Sequence, residues 1–139
     1  MTERNAFGSA RAARADLALL LLRLILAAVF GAYATAKWTG GMNRVAGLMM
    51  SVGIPLPDLA ARFIAVVETG SAVLLLVGLW TRVAGVLLAI EMAVAIWKVV
   101  FRQGFMGGYA FELTLLTVAL SLAVAGGGAW SAGRDRLSR

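Results

Sequence analysis

The sequence predicts an all-α integral membrane protein, a four-helix bundle with a short interfacial helix between its first and second spans. Four apolar runs, at 17–36, 63–78, 83–100 and 109–125, reach or approach the roughly 20 residues of helix that cross a hydrocarbon core. Of the 139 residues, 61% are hydrophobic, and the mean hydropathy is +0.88. Soluble domains sit near 45–50% apolar. A buried helical subunit of a large soluble complex would need four segments of membrane length by accident. A chain of this length holds one bundle.

Residue types narrow the chemistry further. The chain has no cysteine, so it supplies no disulfide, catalytic thiol, iron–sulfur ligand or covalent haem attachment. It has no histidine either, which removes a bis-histidine haem, a His-led metal site and a His general base. The expectation is therefore no covalently bound cofactor and no metal site. The net charge is +6, yet the basic residues flank apolar spans and form no stripe of their own. They read as topology determinants, and nucleic acid is not expected as a partner.

The chain divides into an N-terminal segment, 1–16, read as a mobile tail or the start of a surface helix, a transmembrane domain, 17–130, and a basic C-terminal tail, 131–139. No signal-peptidase site follows the N-terminal stretch, and 17–36 is too long for a signal h-region, so it is expected to remain as the first span. Arg23 and Lys37 lie near the two ends of that span, fourteen positions apart. They differ by only about 40° around the helix and share a face. Ala27, Gly31, Ala34 and Thr35 allow close helix approach there. For Arg23, snorkelling to headgroups and an internal ion pair both stay open.

Residues 38–62 form the long connection. Gly40-Gly41 is expected to break the first helix, and Asn43 to Val52 to form the short interfacial helix. Gly53-Ile54-Pro55-Leu56-Pro57 ends it, because each proline restricts itself and the residue before it. Asp58 is the expected cap of a second helix starting near Leu59. Gly78 closes that helix, and Leu79-Trp80-Thr81-Arg82 turns tightly into the third span with Arg82 at the membrane edge. The third span carries Glu91 near its middle and Lys98 near its end. A glycine-rich connection, 101–108, leads to the fourth span, which has Glu112 in its first turn. Gly-Phe-Met-Gly-Gly at 104–108 lacks the strand–turn–helix context of a dinucleotide site.

Four spans put both termini on one side. With the hairpin at 79–82, that side carries seven basic residues (Arg4, Arg11, Arg14, Arg82, Arg134, Arg136, Arg139) against five opposite (Lys37, Arg44, Arg62, Lys98, Arg102). The excess favours cytoplasmic termini in a bacterial plasma (inner) membrane. Trp38, Trp80, Trp97 and Trp130 all fall near span ends, as an aromatic belt would.

At about 1.5 Å per residue, Glu68 lies roughly 13 Å into its helix, and Glu91 is again near mid-membrane. Glu112 lies just below the outer surface, on the side of Lys37, Lys98 and Arg102, the cationic partners available to the acids. Ionisable residues at such depth face a bundle interior, a partner or a functional cavity. Three readings of Lys37, Glu68 and Glu112 stay open: a structural ion-pair network, a ligand or proton site, and contacts to another subunit. Glu91 has either the bundle core or a neighbouring protein to face.

These pieces resemble the DoxX-like family of small four-span membrane proteins. Leu-Leu-Leu-Arg-Leu-Ile-Leu through Ala-Lys-Trp at 20–38 is similar to that family's first span. Gly-Ile-Pro before the second helix, Glu68 within it, and Gly-Leu-Trp-Thr-Arg at 78–82 are similar to its turn, acidic position and hairpin. Glu112 matches the recurring acid of the fourth span, while Asp135 stands two positions later than the family pattern places its acid. The resemblance covers nearly all of 20–130 and carries over Arg23, Lys37, Glu68, Arg82 and Glu112; Glu91 is not part of it. It implies a redox-associated membrane subunit, since some relatives belong to thiosulfate:quinone oxidoreductases and others to thiol-oxidant defence complexes. The expected ligand is a quinone, and the expected partners are membrane lipids and either other redox subunits or a second copy of the chain. A small-molecule or lipid-binding or transport module is the alternative, with a purely structural scaffold beneath both. Whether the chain is itself an enzyme is left open.

Overall fold

In the computed structural model, residues 3–133 are described, with side chains described from residue 7 onward. Five α-helices follow one another: α1 (Glu3–Ala36), α2 (Met42–Ser51), α3 (Pro57–Val77), α4 (Thr81–Ala95) and α5 (Ala110–Ala125). Four helical stretches are long and apolar enough to cross a membrane, Phe7–Ser51, Pro57–Val77, Thr81–Gln103 and Phe105–Ala125. The 21 residues of α3 rise about 32 Å, the thickness of the hydrocarbon core. The all-α, four-span bundle read from the sequence is the architecture found. Arg134, Asp135, Arg136 and Arg139 of the C-terminal tail lie outside the described residues.

The bundle core interleaves alanines with large apolar side chains. It joins Leu26, Ala27 and Phe30 of α1, Ala72 and Leu75 of α3, Ala84, Leu88, Ala89 and Met92 of α4, and Leu115, Ala119 and Leu122 of α5. Lipid is as apolar as leucine, so helices associate by close packing. At Gly85, a Cβ would come within 2.8 Å of the Ala119 carbonyl oxygen, which is why glycine stands where α4 and α5 touch. Outward-facing side chains are large and apolar, among them Phe63, Leu76, Ile90 and Val124.

Helix ends follow turn chemistry, with two departures from the sequence reading. The first helix breaks at Gly40-Gly41, as the glycine pair predicts. The chain kinks at Thr39 and at Gly40, where φ is +130°, and resumes as α2. By length and composition α1 and α2 form one apolar stretch of 45 residues, so a separate interfacial helix is not distinguished from the first span. Asp58 does not cap α3. Leu56, in the left-handed region at φ 51°, occupies the cap without a side-chain bond, and Pro57 opens the helix. Proline suits that first position because the N–H it lacks would have no partner anyway. Asp58 sits inside the first turn, where its charge meets the positive end of the helix dipole. The N-terminal segment takes the second of its two readings and is helical from Glu3 as part of α1.

Arg23 takes neither role expected of it. It is fully buried and donates to four carbonyls: Leu75 at 3.0 Å, Leu76 at 3.3 Å, Gly127 at 3.1 Å and Trp130 at 3.2 Å. The first two belong to the last turn of α3, where free carbonyls gather negative potential. The others belong to the chain after α5, which folds back beneath the bundle. Ala129 donates its backbone N–H to Asp16 Oδ1 at 2.8 Å and secures the same segment to α1. Gly78, at φ +75°, leaves room for the guanidinium, since a Cβ there would collide with it. Replacing Arg23 by Met should leave these carbonyls buried and unmet. The expected cost is about 3 kcal/mol or more, read as a lowered unfolding midpoint in mild detergent.

Candidate functional site

The site is built on α3. Its buried positions, Ala61, Ala65, Glu68, Ala72 and Leu75, recur at helical spacing and form the stripe that packs into the bundle. Glu68 falls in the middle of that stripe, about 16 Å from the helix start. Its side chain is 3% exposed. A carboxylate so buried needs a partner from the protein.

Lys37 supplies it. The ammonium forms an ion pair with Glu68 Oε1, the one ion pair among the described residues. Local structure presents the lysine at that point. Thr35 and Thr39 hydroxyls donate back to the carbonyls of Gly31 and Thr35, at 2.7 and 2.9 Å, a pattern that bends helices. Trp38 Nε1 donates to Thr69 Oγ1 at 3.0 Å, tying the kink to α3 one residue beyond Glu68.

Above the pair lies a cavity of about 630 Å³. It is walled by apolar side chains of α1, α3, α4 and α5, with Leu48 and Met49 of α2 across one edge. Four charged residues line it: Lys37, Glu68, Glu91 and Glu112. Several wall residues, Phe63, Leu87, Ile90 and Phe111, are also exposed on the outer surface of the bundle. The cavity therefore opens toward the face that meets acyl chains. Glu91 turns inward and lines the same cavity as Glu68. Glu68, Glu91 and Glu112 each keep a buried oxygen, Oε2, that meets no protein donor. A smaller space of about 290 Å³, lined by Lys37, Trp38, Asn43 and Arg62, flanks it, so Lys37 stands between the two.

The sequence-derived site residues thus separate into groups. Lys37, Glu68, Glu91 and Glu112 come together around one cavity. Arg23 bonds carbonyls at the far end of α3, and Arg82 lies half-buried in the first turn of α4. Lys98, considered as a cationic partner, lies over the Trp97 ring at 4.4 Å. Tyr33 was not anticipated. It lines the cavity and packs against Phe111, with ring centroids 6.4 Å apart. Its spacing four residues before Lys37, on the same helix face, was the signal available. Among the described residues, no group of three acidic, His or Cys side chains is arranged to hold a metal ion.

A multi-pass helical membrane protein with a lipid-facing cavity and an internal Lys–Glu pair is the class this geometry defines. Residues 18–101 match the family model described as DoxX. A Bacillus subtilis (strain 168) protein named "Putative oxidoreductase CatD" is 35% identical over 111 residues, covering 80% of this chain and 81% of that protein. No solved structure matches the chain. The chain belongs to the DoxX family. The matched residues include Lys37, Glu68 and Glu91, whereas Glu112 lies beyond them and joins the site through the shape of the cavity.

Removing one partner of a buried pair strands the other charge. Lys37→Met should therefore cost about 3–5 kcal/mol, and the double change Lys37→Met/Glu68→Leu should cost clearly less. Unfolding of the reconstituted variants checks the difference. A loss in the double variant equal to the sum of the Lys37→Met and Glu68→Leu losses would mean that the pair carries no coupling.

Proposed function

We propose that this protein is an accessory membrane subunit of a quinone-linked redox complex, and that its cavity holds the head and first tail carbons of the quinone. The carrying observation is the cavity, apolar along its walls and charged at Lys37, Glu68, Glu91 and Glu112. The volume of about 630 Å³ falls within the range of small-molecule sites. Its opening toward the lipid face supports the fit, because a long-tailed ligand would enter from the bilayer without crossing water. When bound, the quinone supplies the electron-transfer chemistry. The chain's own residues orient the polar head, exclude water through Phe63 and Phe111, and offer carboxyls that can hold or pass a proton. The oxidoreductase name of the Bacillus relative supports the same reading. In this reading the redox cofactors sit in partner subunits.

The protein lies in a bacterial plasma (inner) membrane with both termini cytoplasmic, as the basic excess on that side favours. Residues 42–51 then lie near the opposite interface as a short helix across the cavity mouth. Their amphipathic pattern supports this, with Ala46 and Met49 turned against α3 and Arg44 and Met50 outward. The openness of the cavity to lipid also favours a second reading, a lipid-binding or transport module acting without redox partners.

Membranes carrying Glu68→Gln or Glu112→Gln separate the two. Loss of a charge-assisted contact worth about 1.5–3 kcal/mol should lower quinone-linked oxidase activity about tenfold or more, with the complex still co-purifying. Unchanged activity, with no redox subunit co-purifying, would contradict the subunit assignment and favour the second reading.

A further inference from the structure

The polar side chains of the cavity are unequally divided between donors and acceptors. On the acceptor side stand three carboxyl groups from three different helices, each with a buried oxygen that meets no protein donor. On the donor side stand the Lys37 ammonium, already engaged by Glu68, and the Tyr33 hydroxyl at the rim. Lys37 meets one oxygen of Glu68 and reaches none of the three unmet oxygens, so Glu91 and Glu112 are left without a donor. Buried acceptors without donors are costly, about 1–3 kcal/mol each and more when charged. A ligand that supplies donors there removes the cost.

From this imbalance we infer that the cavity recognises a hydrogen-bond-donating head, and that its ligand is the reduced, hydroquinone form of a lipid-soluble quinone. The inference rests on the quinone reading of the same cavity and specifies which redox form it holds. A hydroquinone presents two phenolic O–H groups, which donate to the oxygens of Glu112 and Glu91. The oxidised form presents only carbonyl acceptors, which would face carboxyl oxygens across a dry space and leave both sides unpaired. The ring lies between Phe63 and Phe111, and the tail leaves toward the lipid face that these side chains also border. A glutamine in place of Glu112 or Glu91 carries an N–H₂ donor at the same position, so it offers a quinone carbonyl what the native side chain does not.

The test is equilibrium binding to the purified chain in lipid nanodiscs, kept anaerobic, of decylhydroquinone, decylquinone and decylhydroquinone dimethyl ether. The ether has the same ring and tail with both donors blocked. Decylhydroquinone should bind at least about tenfold more tightly than either comparison compound, as one or two charge-assisted hydrogen bonds provide. Glu112→Gln should shrink that preference and tighten decylquinone binding, with Glu91→Gln shifting the balance in the same direction. Equal binding of all three compounds would overturn the donor inference and leave the quinone reading standing. No binding by any of them would overturn both. Tighter binding of dodecylammonium than of decylhydroquinone would also overturn the assignment, by making positive charge the recognised feature.

Discussion

The ion pair between Lys37 and Glu68 is the constraint around which this bundle is arranged. A carboxylate placed midway along a membrane helix has no water to solvate it, and the alternatives are neutralisation or a cation from the protein. The chain meets that demand by kinking its first helical stretch at Thr39 and Gly40. The kink leaves Lys37 beside α3 and lets the chain continue as α2 across the same helix. Two small clusters follow from this one placement. Ala46, Met49 and Ala61 join α2 to α3 on one side of the pair, and the main core closes on the other.

Arg23 performs a different service with the same economy of charge. It finds no carboxylate and satisfies its donors on four backbone carbonyls, where the end of α3 and the chain after α5 would otherwise bury unpaired acceptors. The two cations of the first span lie on the same face, both toward α3 and about 21 Å apart along the helix. One locks the far end of the bundle and the other neutralises its centre. This division keeps one end closed and leaves the other end to form a cavity. Function is concentrated where packing is incomplete.

The architecture was legible because the bilayer leaves few options: four apolar runs of sufficient length, bounded by glycines, prolines and tryptophans, admit little but a helical bundle. Lys37, Glu68 and Glu112 were legible for the same reason, since charge is scarce in such segments and conspicuous when it occurs. Glu91 was visible but not its direction, because a helix that is apolar all round carries little polar contrast to mark which face turns inward. The role of Arg23 was not legible. Its partners are backbone carbonyls of residues 75, 76, 127 and 130, and side-chain sequence carries no mark of a carbonyl left free by a helix end. The cap at Leu56 was missed because a bulky residue in the left-handed region is disfavoured locally, and a residue before proline ordinarily takes an extended backbone. Lys98 looked like a partner for the acids by depth alone, yet the adjacent Trp97 ring receives it.

The pair at the centre can be measured in a bilayer. The chain contains two lysines, Lys37 and Lys98, so ¹⁵N labelling of lysine side chains gives a sparse set of signals. Dipolar recoupling between the Lys37 Nζ and glutamate side-chain ¹³C carboxyls, in protein reconstituted into lipid, reads the ion pair directly. The expected result is one strong lysine–glutamate contact at ion-pair distance, lost in Glu68→Gln and retained in Glu112→Gln. A Lys37 signal with no carboxyl in contact, or a contact that survives Glu68→Gln unchanged, would contradict the account.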